Sequence, residues 1–137
     1  MRVVEVEAAD TYDLRRRVLL VEPRPLALEG DELSGTRHFG VRDGETLVAV
    51  ATFVPTEEGV QLRGMAVDPA TQGTGVGRLL VSTAVEELRA AGVTRLWCNA
   101  RDTAVPFYER LGWTITGPGF LHAPSGLPHH PMELLLA

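Results

Sequence analysis

A glycine-rich turn at residues 67–78 constrains the fold more than any other part of this chain. It follows an apolar run typical of a strand and precedes residues whose apolar positions recur with the period of a helix. Glycines stand at positions 73, 75 and 77, so consecutive backbone N–H groups have no side chains crowding them. Because these groups and the helix dipole both favour an anion, the turn predicts a site for a pyrophosphate.

Three phosphate-binding patterns compete for this turn. A P-loop requires lysine after its last glycine, but position 78 is Arg78, and the chain contains 13 arginines and no lysine. A Rossmann fingerprint requires glycine at that same position. The pattern Q/R-x-x-G-x-G/A is matched by Gln72, Gly75 and Gly77. A glycine-rich helix start without a ligand is the remaining alternative, although glycine is costly in such a place without cause.

The surrounding apolar segments predict a mixed α/β sheet. Strands are expected at residues 3–7, 38–42, 46–54, 60–67, 94–99, 113–115 and 132–136. Turns at Asp43-Gly44 and at residues 57–59 make three of these strands consecutive and antiparallel. The strand–helix–strand spacing from 60 to 99 predicts a right-handed parallel crossover. The sheet is therefore expected to be antiparallel in its first half and parallel at its centre.

Apolar stripes and capping residues predict three helices. Asp10 or Thr11 is the expected cap of the first helix, Pro23 and Pro25 end it, and its apolar face consists of Leu14, Val18 and Val21. The second helix ends near Gly92 and has the stripe Val76, Leu79, Leu80, Ala84, Val85 and Leu88. The third is expected to run to Leu111, with Asp102 or Thr103 as its cap and Gly112 as its terminator. Residues 23–36 and 117–131 are expected to be loops.

Composition excludes several classes of protein. The 137 residues suit one domain spanning 1–137, with 45% apolar and 23% charged residues. No apolar run could cross a membrane, and residues 1–7 lack the apolar core of a signal peptide, so a cytoplasmic protein is expected. The net charge of −5 argues against general nucleic-acid binding. Cys98 is the single cysteine, which excludes an internal disulfide and a cysteine-based zinc site, and no metal is expected.

A second motif, NARDTAVPFYERLGW, occupies residues 99–113. With the glycine turn and the order of elements, it resembles the GNAT superfamily of N-acetyltransferases over nearly the whole chain. The resemblance implies a mixed α/β (α+β) sheet, antiparallel in its N-terminal half, with a central parallel strand pair flanked by helices. It also implies acetyl-CoA as cosubstrate and an amine as acceptor. A monomer or homodimer is expected, without a nucleic-acid or membrane partner.

Within this superfamily the chain is most similar to ElaA-type proteins. The similarity rests on Leu14-Arg15 with Val18 and Glu22, on Arg37-His38, and on the segment Gly126-Leu127-Pro128-His129. Pro23 departs from that branch, which usually has glutamine after the glutamate.

The resemblance implies a set of residues that bind acetyl-CoA. Backbone groups of Met65, Ala66 and Val67 would pair with the pantetheine arm like an added strand. Gly64 is expected to mark a bulge at which this strand parts from the next, and Asn99 would bond the arm from the other side. The pyrophosphate would lie on Gln72, Gly73, Thr74, Gly75, Val76, Gly77 and Arg78. Phe107 is also assigned to the cofactor site, although with Leu111 at helical spacing it equally fits the core.

The resemblance implies that Tyr108 is the general acid. The thiolate that leaves in acetyl transfer needs a proton, and a tyrosine hydroxyl is protonated at neutral pH and can supply it. Phe107, Gly112 and Trp113 complete the family pattern around it. The alternative is a tyrosine that only packs against the cofactor.

The general base is not readable from the sequence. Several family members use a glutamate on the strand before the turn, but that strand offers Gln61, Arg63 and Met65. The remaining candidates, beside a water relay, are Glu22, His38, His122, His129 and His130.

The acceptor is also open. The loop that would lie beside it carries Glu22, Glu29, Asp31 and Glu32, which would attract a cationic amine or form an ordinary solvated surface. Glu22 is the one proposed substrate-binding residue. A non-catalytic acyl-CoA-binding sensor or scaffold is the alternative function, but such a module would not need Tyr108.

Overall fold

The computed structural model describes residues 1–19, 34–123 and 125–136. In this part of the chain, eight strands form one sheet in the order β1-β2-β3-β4-β5-β8-β6, and β7 also pairs with β8. The strands are β1 Arg2–Val6, β2 Arg37–Asp43, β3 Thr46–Thr56, β4 Gly59–Val67, β5 Arg95–Arg101, β6 Thr114–Ile115, β7 Phe120–Leu121 and β8 Pro128–Leu135. The α-helices are α1 Tyr12–Leu19, α2 Val76–Ala90 and α3 Val105–Arg110.

The topology confirms the predicted mixed sheet. Strands β1, β2, β3 and β4 pair antiparallel in succession, and β4 and β5 form a parallel pair joined through α2. Strand β8 returns antiparallel to β5. The first hairpin is displaced by one residue from the predicted Asp43-Gly44, because Asp43 still pairs with Thr46 and the two turn residues are Gly44 and Glu45.

The two faces of the sheet carry different helices. Helices α2 and α3 cover one face, where Leu80, Ala84 and Leu88 of α2 join the main core. Helix α1 covers the other face, where Leu14 packs against Val50 and Ala66. These are called the α2 face and the α1 face below.

The predicted stripe of α2 is wrong at one position. Leu79 is 40% exposed, whereas Val81 is buried among the strands. The buried face of α2 is therefore rotated away from Leu79 and toward Val81, on the other side of Leu80. The other five residues of the predicted stripe are buried.

Strand β4 has a bulge at Gly64, as predicted, and beyond Gln61 it parts from β5. Val50 pairs with Ala66 and Thr52 with Arg63, so β4 has one residue more than β3 in this interval. Gly64 has φ of +64°, which favours glycine. Strands β4 and β5 pair at two positions, Val60 with Leu96 and Gln61 with Trp97. Both strands continue beyond this point without pairing to each other.

The predicted helix caps are partly wrong. A 3-10 turn at Ala8–Thr11 precedes α1, and Asp10 accepts a hydrogen bond from the Glu7 N–H at 3.0 Å within that turn. Another 3-10 turn, Asp102–Ala104, precedes α3, which has Ala104 at its N-cap without a side-chain cap. Asp102 is bound elsewhere, as described below. Gly112 ends α3 as predicted, with φ of +93°.

The expectation of a loop over residues 117–131 is also wrong in part. Phe120 and Leu121 form β7, and β8 begins at Pro128, four residues before the predicted start. Prolines 128 and 131 argued against a strand because they cannot donate to a ladder. Pro131 nevertheless takes part through its carbonyl, which accepts from the Thr116 N–H at 3.0 Å.

Several sequence predictions lie outside the described residues. They concern the end of the first helix at Val21, Pro23 and Pro25, and the acidic residues Glu22, Glu29, Asp31 and Glu32. In the described part of the chain, no helix combines the length and apolar character needed to span a membrane.

Candidate active site

The glycine turn lies between β4 and α2, and its backbone has a conformation that favours glycine. Gly73 has φ of +81° and Gly75 has φ of +88°. A Cβ built on either residue would meet no atom within 4 Å. Residues 72–75 are exposed, so the space next to the turn is open to a ligand.

The start of α2 supplies backbone donors to this open space. The first hydrogen bond of the helix runs from the Leu79 N–H to the Gly75 carbonyl at 3.0 Å. The N–H groups of Val76, Gly77 and Arg78 precede it, and such groups have no acceptor inside a helix. Residues 69–78 contain no carboxylate that would repel an anion. The turn therefore fits the pyrophosphate group predicted for it.

The side chain of Gln72 shapes the turn from within. Its Nε2 donates a hydrogen bond to the Val67 carbonyl at 3.1 Å, which joins the turn to the end of β4. Asp68 accepts from the Ala70 N–H at 2.9 Å, and Arg17 of α1 lies 3.5 Å from the same carboxylate. The Gln72 side chain therefore stabilises the conformation of the turn, and the groups left to bind a ligand are backbone N–H groups.

Gly77 lets three elements meet. A Cβ at this position would lie 3.3 Å from Cε of Met65 in β4 and 3.4 Å from the Phe107 ring in α3. These contacts are tighter than most side chains make, so a larger residue at 77 would push these neighbours back by a few tenths of an ångström. The turn and the third helix are thereby fixed next to the same stretch of β4.

Tyr108 lies where these elements meet. Its ring packs against Phe107 at 5.1 Å and Trp113 at 5.2 Å between centroids, and the residue is buried. Its hydroxyl donates to the sulfur of Met65 at 3.5 Å. Burial raises the pKa of Tyr108, and the nearby Cys98 raises it further. The hydroxyl therefore keeps its proton at neutral pH and can donate a hydrogen bond beside β4, where it now donates to the Met65 thioether.

Cys98 is not placed to act as a nucleophile. It is buried in the main core, and burial raises the pKa of its thiol to about 12. The thiolate is the reactive form of cysteine, so this thiol is inert at neutral pH.

The parted strands form the two sides of an opening beside Tyr108. On β4, Met65 and Val67 pack toward the α2 face, while Ala66 is buried against α1. On β5, the buried residues Cys98 and Ala100 join the core of the α2 face.

Asn99 alternates with these core residues and therefore points to the α1 face, where it is exposed. The structure thus brings the turn, β4 and Tyr108 together and places Asn99 across the opening. Thr74 and Arg78 lie exposed at the turn, and Val76 is buried beneath it.

The α1 face carries a buried polar network that sequence reasoning missed. Thr52 of β3 accepts a hydrogen bond from Arg15 of α1 at 2.6 Å and lies 2.8 Å from Nδ1 of His38. All three residues are buried. Arg63, the strand partner of Thr52, donates to Gln61. Thr52 could have indicated this network from the sequence, because it places a hydroxyl inside an otherwise apolar strand.

The remaining histidines cluster on β8 and the segment before it. His129 is buried, and its ring stacks on that of His122 with centroids 4.6 Å apart. His130 points to the other face and forms a 2.6 Å ion pair or hydrogen bond with Asp102. Among residues 1–19, 34–123 and 125–136, no three histidine, cysteine or acidic side chains are grouped so that they could hold a metal ion.

Comparison with known proteins agrees with this geometry. Residues 21–136 match the family model of the acetyltransferase (GNAT) domain. The chain is 30% identical to YitI of Bacillus subtilis strain 168, described as an uncharacterized N-acetyltransferase, over 88% of this chain and 87% of that protein.

Two solved structures share the fold. Escherichia coli ElaA superposes with a TM-score of 0.82 at 20% identity, covering 96% of this chain and 97% of that one. An aminoglycoside 6'-N-acetyltransferase complexed with coenzyme A gives a TM-score of 0.84 at 17% identity, covering 100% and 98%. The closeness to ElaA-type proteins beyond the fold stays a prediction. From the family match and its relatives, the chain belongs to the GNAT acetyltransferase family and is an acyltransferase.

Proposed function

We propose that this protein transfers the acetyl group of acetyl-CoA directly to an amine. The observation that carries the proposal is the position of Tyr108, whose protonated hydroxyl reaches the Met65 side chain of β4, next to the open glycine turn. Phosphate cradle and proton donor thus lie on one face of the sheet, at the place where β4 and β5 part.

The turn would hold the pyrophosphate of the cosubstrate through backbone N–H groups. From there the pantetheine arm would run along the free edge of β4 and bond to Met65 and Val67. The Val67 carbonyl already accepts from Gln72, but a carbonyl oxygen has two lone pairs and can accept again. Asn99 would bond the arm from the β5 side. Phe107 would form the wall between the turn and Tyr108.

Tyr108 would protonate the leaving sulfur. As the amine nitrogen bonds to the carbonyl carbon, the C–S bond breaks with its electron pair moving to sulfur. A hydroxyl within reach of this sulfur stabilises the developing charge and then supplies the proton. The inert Cys98 leaves no thiolate for an acyl-enzyme, which favours direct transfer.

A non-catalytic acyl-CoA-binding module is the second candidate. The glycine turn would serve a sensor equally well. A sensor has no need of a protonated hydroxyl beside the strand that would hold the thioester, so Tyr108 favours the enzyme.

The acceptor is proposed only as a class. Glu22 remains the proposed substrate-binding residue from the sequence, since an acidic side chain would attract a cationic amine. A free Cys98 in the core is consistent with a protein of the reducing cytoplasm.

The test is a screen of amines with acetyl-CoA, read by release of the free CoA thiol. The panel should contain polyamines, amino acids, aminoglycosides and peptides with free N-termini. We expect thiol release that depends on one class of amine and on protein concentration. The Tyr108→Phe variant is the matched control for background hydrolysis. Tight acetyl-CoA binding with no release for any amine would favour the sensor.

A further inference from the structure

His129 lies on the α1 face of the sheet, and the acceptor is expected on this face because the sequence predicts that the loop following α1 lies beside it. In the pairing of β5 with β8, His129 stands opposite Arg101, and Pro131 stands opposite Asn99. Cross-strand partners share a face of the sheet, so His129 lies on the α1 face with Asn99. Neighbouring strands are about 4.8 Å apart, which places the backbone of His129 one strand from the β5 edge that borders the opening.

The hydrogen bonding of His129 fixes which nitrogen can take a proton. Its Nδ1 lies 2.9 Å from the carbonyl oxygen of Leu127. Because a carbonyl oxygen can only accept, Nδ1 must carry the hydrogen, and Nε2 of the neutral ring keeps its lone pair. No described residue forms a hydrogen bond with Nε2. The ring therefore offers a proton acceptor of defined orientation.

The ring is also held against rotation. It stacks on His122, with its centroid 5.9 Å from that of Phe120, and His129 is only 6% exposed. The titratable and charged groups near it are His122 on its face and Arg101 across the strand pair. Asp102 is taken by His130 on the other face.

The other described residues that border the opening on this face are poor bases. Gln61 and Asn99 are amides, and the guanidinium groups of Arg63 and Arg101 offer donors but no acceptor. His38 is engaged with Thr52 inside the sheet.

We propose that His129 is the general base that prepares the acceptor amine. This inference rests on the proposed function. Nε2 of His129 takes one proton from the acceptor ammonium, which frees the nitrogen lone pair to form the C–N bond. The C–S bond breaks, the nitrogen loses its second proton to solvent, and the sulfur receives a proton from Tyr108. Solvent then reprotonates Tyr108 and accepts the proton held by His129, so the cycle closes with one proton released.

The test compares His129→Gln with His130→Gln, using the amine identified by the screen. The two residues are neighbours in β8, but they point to opposite faces, so His130 is a matched control. For His129→Gln we expect kcat to fall about 10²–10⁴-fold with little change in the KM for acetyl-CoA, since a base acts on the amine. We expect His130→Gln to stay within about threefold of the wild type, and added imidazole to restore part of the rate of His129→Gln only.

A second measurement uses the unaltered protein and does not depend on how the variants fold. Diethyl pyrocarbonate modifies neutral histidine rings, and mass spectrometry locates the modified residue. We expect activity to fall in step with modification at 129, and the acceptor amine to protect this residue.

A wild-type kcat for His129→Gln, or full activity after complete modification at 129, would overturn the role of His129 and leave the acetyltransferase intact. A wild-type protein that acetylates no amine would overturn both proposals.

Discussion

The two faces of the sheet differ in how their functional groups are assembled. On the α2 face, the glycine turn and the Tyr108 segment are contiguous motifs, and the turn presents backbone groups whose positions depend on glycine. On the α1 face, a polar network comes from α1, β2 and β3, and His129 comes separately from β8, so their positions depend on the register of the sheet and on the packing of α1. The α2 face can therefore be recognised in a sequence, whereas the α1 face is visible only in the folded chain.

This difference has a functional meaning. A cofactor shared by a whole family needs the same backbone cradle in each member. An acceptor that differs between family members can be bound by side chains from separate positions in the sequence. Each of these side chains can be substituted independently. We therefore expect variants on the α2 face to affect cofactor chemistry, and variants on the α1 face to affect the acceptor or the stability of the sheet.

On the α2 face, the largest expected effect on catalysis comes from Tyr108→Phe. The ring and its packing remain, and only the hydroxyl proposed to protonate the leaving sulfur is lost. General acid catalysis contributes about 10²–10⁴-fold, so kcat should fall within or somewhat below that range, with CoA affinity nearly unchanged. Steady-state kinetics at saturating acetyl-CoA measure this, after circular dichroism has shown that the variant is folded. A wild-type kcat would show that Tyr108 is not the general acid and only packs against the cofactor.

An intermediate effect is expected from Thr52→Val on the α1 face. Valine has nearly the same shape as threonine but removes the hydroxyl that Arg15 and His38 share. Leaving buried polar groups without this partner should lower the free energy of unfolding by about 1–3 kcal/mol. Urea denaturation measures the change, and acetyl-CoA affinity should stay the same.

The matched control for this variant is Thr46→Val, at an exposed position of the same strand, where a change within about 0.5 kcal/mol is expected. Equal stability of Thr52→Val and Thr46→Val would show that the network contributes nothing to the fold.

The smallest effect is expected from Cys98→Ala. Removing a buried sulfur from the core should cost about 1 kcal/mol of stability. Turnover should be retained, because burial holds the pKa of this thiol near 12 and the mechanism does not use it. Intact-protein mass spectrometry during turnover should detect no added acetyl group. An acetylated Cys98 would replace direct transfer with an acyl-enzyme.

The sequence predicted most of the sheet and the backbone conformation of the glycine turn. The turn at Gly73 and Gly75, the bulge at Gly64 and the end of α3 at Gly112 were predictable because each needs a backbone conformation that favours glycine. The parallel pair followed from the length of the crossover.

The remaining features depend on contacts distant in sequence. Strand β8 was predicted too short because its prolines argued against it, although its partners β5 and β6 supply the pairing. The network around Thr52 depends on the register of β2 against β3 and on how α1 packs on the sheet. A local sequence pattern determines neither. The distinction between His129 and His130 likewise required knowing which face each side chain meets.

The central claim is that acetyl-CoA binds at the open turn on the α2 face. The most direct test is calorimetric titration of acetyl-CoA into the wild type, Gly75→Glu, Gly75→Asn and Ser82→Glu. Glutamate at 75 would place bulk and negative charge on the phosphate position, whereas Ser82→Glu adds the same charge to an exposed position of α2. Asparagine tolerates the positive φ of Gly75 better than other side chains, so Gly75→Asn separates backbone strain from charge.

We predict wild-type affinity for Ser82→Glu, weakened binding for Gly75→Asn, and no measurable binding for Gly75→Glu. A folded Gly75→Glu protein that binds acetyl-CoA as tightly as the wild type would contradict the account.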